Sequence, residues 1–275
     1  MDKFRLIKPT DDEIDFYCSL WDRSCKIKER KLFTAGDTTK IDIESLLFDG
    51  KDTKYIDEDN RIREYIEKEE YGSAVETIDK VYSTQLKQRN GLEETKQLIN
   101  NLVKGIRDEI NEVRNSGDII ESYKNRGRIV DKIAKSNKTD VNNRYSFATK
   151  FCSFLAPDLF PIFDSISSTL IYSYQTDPVG SKKKNKVSKE NMGLYSYYLY
   201  IYDQFIENYE ITKCYKMVDV FLWMYGKAIS NYWDNLGIIT YSTSLYTSSD
   251  NKRAESIIEK MEESLKSDKK TQNNA

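Results

Sequence analysis

The chain contains no histidine. That absence removes Ser-His-Asp and Cys-His nucleophiles, histidine-ligated metals and imidazole acid–base chemistry together. An enzyme built on this sequence has to work with Lys, Asp, Glu, Tyr or Cys. Proline and glycine are scarce, with 4 and 11 in 275 residues, which favours long regular elements over loops. Long apolar runs are missing too. The richest, Val218 to Tyr225, falls far short of the roughly 18 apolar residues of a membrane span. Met1-Asp2-Lys3-Phe4 opens no signal peptide. The expectation is a soluble, cytoplasmic protein with no membrane partner. Cys18, Cys25, Cys152 and Cys214 form no Cys-x-x-Cys pair, so neither a zinc ribbon nor an iron–sulfur loop is suggested. Walker-type and Gly-x-Gly-x-x-Gly loops are absent as well. No metal and no cofactor are expected.

What is present can build a core. Apolar residues make up 39% of the chain and aromatic residues 12%, including 20 tyrosines, while the 32% charged fraction covers a well-solvated surface. The periodicity predicts an all-α, multi-helix globular protein. Residues 1–60 read as an N-terminal segment of mixed helix and turns. There Thr10 caps a helix whose first turn holds Asp11, Asp12 and Glu13, and Gly36-Asp37 and Asp49-Gly50 mark a turn or short hairpin. Residues 61–250 form a helical core. Ala74, Ile78 and Val81 mark one helix, and Leu98, Leu102, Ile106, Ile110 and Val113 a longer one opened by Gly91. Further helices are expected from about Ile119 to Ala134, over Tyr145–Leu155, after Asp164, through a tyrosine-rich stretch to Tyr209, and over Met217–Ile229. Residues 251–275 read as a C-terminal helix with a frayed tail. Three of the four prolines fall between residues 157 and 178, so the sharp corners are expected there.

The charge is unevenly spread. The whole chain carries −2, yet residues 124–189 hold thirteen Lys and Arg against five Asp. Such a basic middle in an acidic protein suits a face that tracks phosphates, and it points to DNA as a partner. The candidate nucleic-acid-binding residues are Arg126, Arg128, Lys132 and Arg144, with Lys182, Lys183, Lys184 and Lys186 in a basic loop over 177–191. The plainer reading of that loop is a solvated charge run.

The basic segment surrounds the most reactive-looking stretch, residues 144–168. Lys150 sits in an apolar helix among Phe147, Ala148, Phe151 and Phe154. Burial there disfavours the ammonium and makes the amine a nucleophile or base. Asp164 follows a Pro161 turn at a helix N-terminus, where the helix dipole keeps a carboxylate ionised. Each residue also has a structural reading, Lys150 as a snorkelling lysine and Asp164 as an ordinary N-cap.

Phe147-Ala148-Thr149-Lys150 and Phe160-Pro161-Ile162-Phe163-Asp164 together resemble the lysine and aspartate motifs of the helix-hairpin-helix DNA glycosylases, in particular the 8-oxoguanine DNA glycosylase branch. The hairpin signature Leu-Pro-Gly-Val-Gly is absent, and Asn142-Asn143-Arg144-Tyr145-Ser146 stands in its place. The resemblance implies a glycosylase-like helical core and a base flipped into a pocket. It also implies catalytic roles for Lys150, through a Schiff base with the sugar, and for Asp164, stabilising the oxocarbenium-like sugar. The activity would be a DNA N-glycosylase, with or without abasic-site lyase chemistry, serving repair or defence against phage DNA. Trp223 and Tyr225 are the candidates for the wall of a base pocket. The alternative is a non-catalytic helical interaction or regulatory protein, one component of a multi-protein defence system, whose basic face holds nucleic acid or an acidic protein partner.

Overall fold

The computed structural model of the chain describes residues 5–25, 29–34, 40–48, 55–82, 84, 86, 91–134, 141–176, 187–188, 190–236, 238 and 251–272. Side chains at 30, 44–45, 141–144, 251–253 and 266–272 are outside that description. Most of the described chain is helical, as the spacing of its apolar residues requires.

Helix α1 (Asp11–Trp21) starts at the expected cap, with the Thr10 hydroxyl accepting from the Glu13 N–H at 3.3 Å and three acids in the first turn. A two-stranded antiparallel pair follows, β1 (Glu29–Lys31) and β2 (Lys40–Asp42), with Arg30 opposite Ile41. It lies where the sequence allowed a hairpin, although the Gly36-Asp37 and Asp49-Gly50 turns are outside the described residues. Then come α2 (Ile43–Phe48), α3 (Tyr55–Glu67), α4 (Tyr71–Tyr82), α5 (Leu92–Asn115) and α6 (Ile119–Ala134). Helices α7 (Val141–Leu155) and α8 (Ser165–Thr176) flank the proline corner, followed by α9 (Tyr195–Asn208), α10 (Tyr215–Ala228), α11 (Trp233–Leu236) and α12 (Asn251–Gln272). None of the described helices is long and apolar enough to cross a membrane.

Packing joins distant parts of the sequence. Helix α1 lies along α10, α6 along α7, and α10 along α8. The N-terminal segment is tied into the core by hydrogen bonds. Tyr225 Oη accepts from the Ile7 N–H at 3.1 Å and donates to the Leu32 carbonyl at 3.0 Å, while Tyr174 Oη donates to the Ile7 carbonyl at 3.0 Å. Tyr17, Tyr174, Tyr195, Tyr198, Tyr202 and Tyr225 are fully buried. A buried ring of this size contributes about 1.5–3 kcal/mol through burial. A buried hydroxyl also needs a partner, and the partners of Tyr174, Tyr195, Tyr198, Tyr202 and Tyr225 decide what these tyrosines do.

Gly226 sets the distance between α8 and α10. A Cβ there would stand 2.2 Å from Ile166 Cγ2 and 3.0 Å from Leu170 Cδ1, so the close approach of these helices depends on the missing side chain.

Candidate active site

The corner between α7 and α8 begins with a turn that hydrogen-bonds back to Ala156 and continues through the buried residues 160–163, which lie outside any helix or strand and whose backbone groups need partners. Side chains from three helices supply them. Tyr195 Oη donates to the Pro161 carbonyl at 2.6 Å, and Tyr198 Oη to the Ile162 carbonyl at 2.9 Å. Asp219 Oδ2 accepts from the Ile162 N–H at 2.9 Å, and Thr149 Oγ1 contacts both the N–H and the carbonyl of Phe163, at 3.2 and 3.3 Å. The next residue is Asp164. Its Oδ1 accepts from the Ser167 N–H at 2.8 Å, capping α8 as expected.

This clamp aims Asp164 at Lys150. Lys150 Nζ lies 3.9 Å from Asp164 Oδ2, with side-chain exposures of 4% and 14%, and donates to Ser146 Oγ at 2.6 Å one turn back on α7. The corner therefore brings the lysine and aspartate motifs together in space. Burial lowers the Lys150 pKa, partly opposed by the carboxylates of Asp164 and Asp219. More of its amine is therefore unprotonated at a given pH than for a free lysine.

Both residues line one cleft. Its floor is made of buried residues, among them Trp21, Lys150, Ser167 and Asp219, and its rim of the partly exposed Tyr82, Asp164, Lys216 and Trp223. The cleft encloses about 300 Å³, part of it open to solvent, but the accessible room holds only about one or two waters. A second ion pair lies beside it. Lys216 Nζ is 2.8 Å from Asp59 Oδ2 and 4.9 Å from the centre of the Phe154 ring, and the fully buried Asp59 also accepts from Tyr82 Oη. Asp219 Oδ1 accepts from Tyr202 Oη at 2.8 Å; burial pushes this carboxyl up to about 8, against the pull of its two hydrogen bonds. Among the described residues no group of three His, Cys, Asp or Glu side chains is placed to hold a metal ion, so no ligand set is assigned.

The other sequence candidates separate. Trp223 is on the cleft rim, edge-on to Trp21 at 5.7 Å between ring centres. Tyr225 is not in the cleft. It is spent on Ile7 and Leu32, because its position on α10 faces α1 rather than α7. Arg126 does not present a charge to a phosphate. It is 4% exposed, donates to the Leu159 carbonyl at 2.9 Å, and lies 3.9 Å from Asp203, because it sits on the face of α6 that packs inward. Arg128 and Lys132 are on the surface at 57% and 41% side-chain exposure, both against Glu109. Arg144 falls within α7 but its side chain is outside the described residues, as are Lys182, Lys183, Lys184 and Lys186.

Sequence reasoning missed Lys216, Tyr82 and Trp21 as cleft residues, and Asp59 as the partner of Lys216. One signal was available. Asp59, Ile62 and Ile66 share the inward stripe of α3, and a carboxylate on an apolar stripe needs a buried cation. Nothing local marks Lys216 as that cation.

Comparison of the chain with protein-family models, with curated proteins and with solved structures returns no match.

Proposed function

We propose that the protein cleaves an N-glycosidic bond in DNA, with Lys150 as nucleophile and Asp164 as its electrostatic partner. The observation that carries this reading is the buried Lys150 amine, 3.9 Å from the Asp164 carboxylate in one aromatic-walled cleft. As a free amine, Lys150 Nζ forms a bond to C1′ of the sugar while the bond from C1′ to the base breaks. The base leaves with the electron pair. The proton shed by Nζ balances the one the departing base takes up. Asp164 stabilises the positive charge that builds on C1′ and O4′ as that bond loosens. Breaking the C1′–O4′ bond then gives a protonated imine, with O4′ taking a proton from water. The rigid 161–164 segment supports the role, since a carboxylate held by its backbone needs no reorganisation during the reaction. Borohydride reduction tests it, because it turns the imine into a stable amine linking Lys150 to the DNA.

The narrowness of the cleft favours a second reading. In it the Lys150–Asp164 and Lys216–Asp59 pairs fasten helices inside a non-catalytic binding protein, and the basic segment holds nucleic acid or an acidic partner. The absence of any reducible adduct would select this reading.

A further inference from the structure

Most polar groups around the cleft are partnered, and two are not. The Trp21 indole N–H and the Ser167 hydroxyl are both buried, both belong to residues of the cleft floor, and neither has a hydrogen-bond partner among the described residues. An indole N–H can only donate, so a buried one with no protein acceptor among the described residues is suited to an acceptor that a ligand brings. The two lysines beside the cleft are each matched by one carboxylate, Lys150 by Asp164 at 3.9 Å and Lys216 by Asp59 at 2.8 Å. Burial holds the third carboxyl, Asp219, up to about 8 and so largely protonated at neutral pH, which leaves the site no surplus charge with which to attract an ion of either sign. Trp21, Tyr82 and Trp223 supply flat apolar surface, which suits a ring.

We propose that Trp21 and Ser167 are the recognition residues of this cleft, and that its ligand is a neutral planar ring bearing a carbonyl acceptor. Resting on the function proposed above, this ligand is the excised base, of the lactam type found in uracil or hypoxanthine and lacking in adenine. The ring enters by displacing the water-sized contents of the cleft and moving the Trp223 indole, which is only partly buried at the rim and has the Lys227 ammonium 4.9 Å from its ring centre. The carbonyl oxygen then accepts from Trp21 Nε1 and the Ser167 hydroxyl.

Calorimetric titration of the full chain with free hypoxanthine and free adenine tests this, because the two purines share a ring frame but present a carbonyl with a protonated N1 in one and an amino group with a bare N1 in the other. Hypoxanthine is expected to bind at least about tenfold more tightly than adenine. Trp21→Phe, which keeps a ring in place, is expected to erase that preference, and Ser167→Ala to weaken hypoxanthine several-fold. Helical content by circular dichroism confirms that each variant folds, and Ser167→Ala carries the test if Trp21→Phe does not. Equal affinity for the two purines, binding of neither, or hypoxanthine binding unchanged in both folded variants overturns the proposal. Borohydride trapping on an abasic oligonucleotide needs no base in the cleft. Trapping without lactam binding defeats this inference alone, and lactam binding without trapping defeats only the proposed reaction.

Discussion

Lys150 Nζ and Asp164 Oδ2 stand 3.9 Å apart, both largely withdrawn from water, although their side chains come from different helices on either side of a proline corner. The meeting is enforced by the corner rather than by the pair. Tyr195, Tyr198, Asp219 and Thr149 each hold backbone of the segment that delivers Asp164. The consequences are separable by mutation.

Thr149→Val keeps the volume of the side chain and removes its hydroxyl. The N–H and carbonyl of Phe163 then lose that partner inside the core. The expected loss is about 1–3 kcal/mol of stability by urea denaturation, with trapping activity falling further than stability explains because Asp164 is one residue away.

Gly226→Ala drives a methyl into Ile166 and Leu170 on α8. Overpacking of this kind costs about 1–3 kcal/mol, and α8 is the helix that Asp164 caps. Thermal denaturation should show a lower midpoint, and Gly226→Ser should show at least as large a drop.

Stability should depend on pH through Asp219. Its pKa is raised from 3.8 to about 8 in the folded chain by burial. Between those values the folded state holds a proton that the unfolded state has released, so stability falls as pH rises from about 4 to about 8. Asp203, also raised by burial, acts in the same direction. Lys150, lowered by burial, acts the other way at higher pH. Urea midpoints measured across this window should decline for the natural chain and decline less for Asp219→Asn. Parallel curves would remove Asp219 as the source.

Much of this was legible in the sequence, and the limits have physical reasons. The Thr10 and Asp164 caps, the long α5 and the proline corner follow from local rules that act within one turn, and all appear where expected. Helical period shows which side of α9 is apolar, but not what that side meets. The tyrosine-rich stretch therefore read as a helix, whereas Tyr195 and Tyr198 bind carbonyls 34 and 36 residues away. Arg126 was counted with the basic face because a charge count carries no direction. Only tertiary packing shows it turned inward to Leu159 and Asp203.

That distinction gives a prediction for DNA binding. Arg128 and Lys132 are exposed, so replacing both with Ala should lower the slope of log affinity against log salt by up to about 2. Arg126→Met should destabilise the fold while leaving the slope of the folded fraction unchanged. A slope altered only by Arg126→Met would contradict the assignment.

The reaction itself is tested most directly by borohydride reduction of the protein with an abasic oligonucleotide, followed by mass mapping of the modified residue. The cleft offers two amines, and Lys216 is committed to Asp59 at 2.8 Å while Lys150 is the buried one beside Asp164. A covalent adduct at Lys150 is expected, absent in a folded Lys150→Met variant and strongly reduced in Asp164→Asn. An adduct at Lys216, an adduct that survives Lys150→Met, or no adduct at all would contradict it.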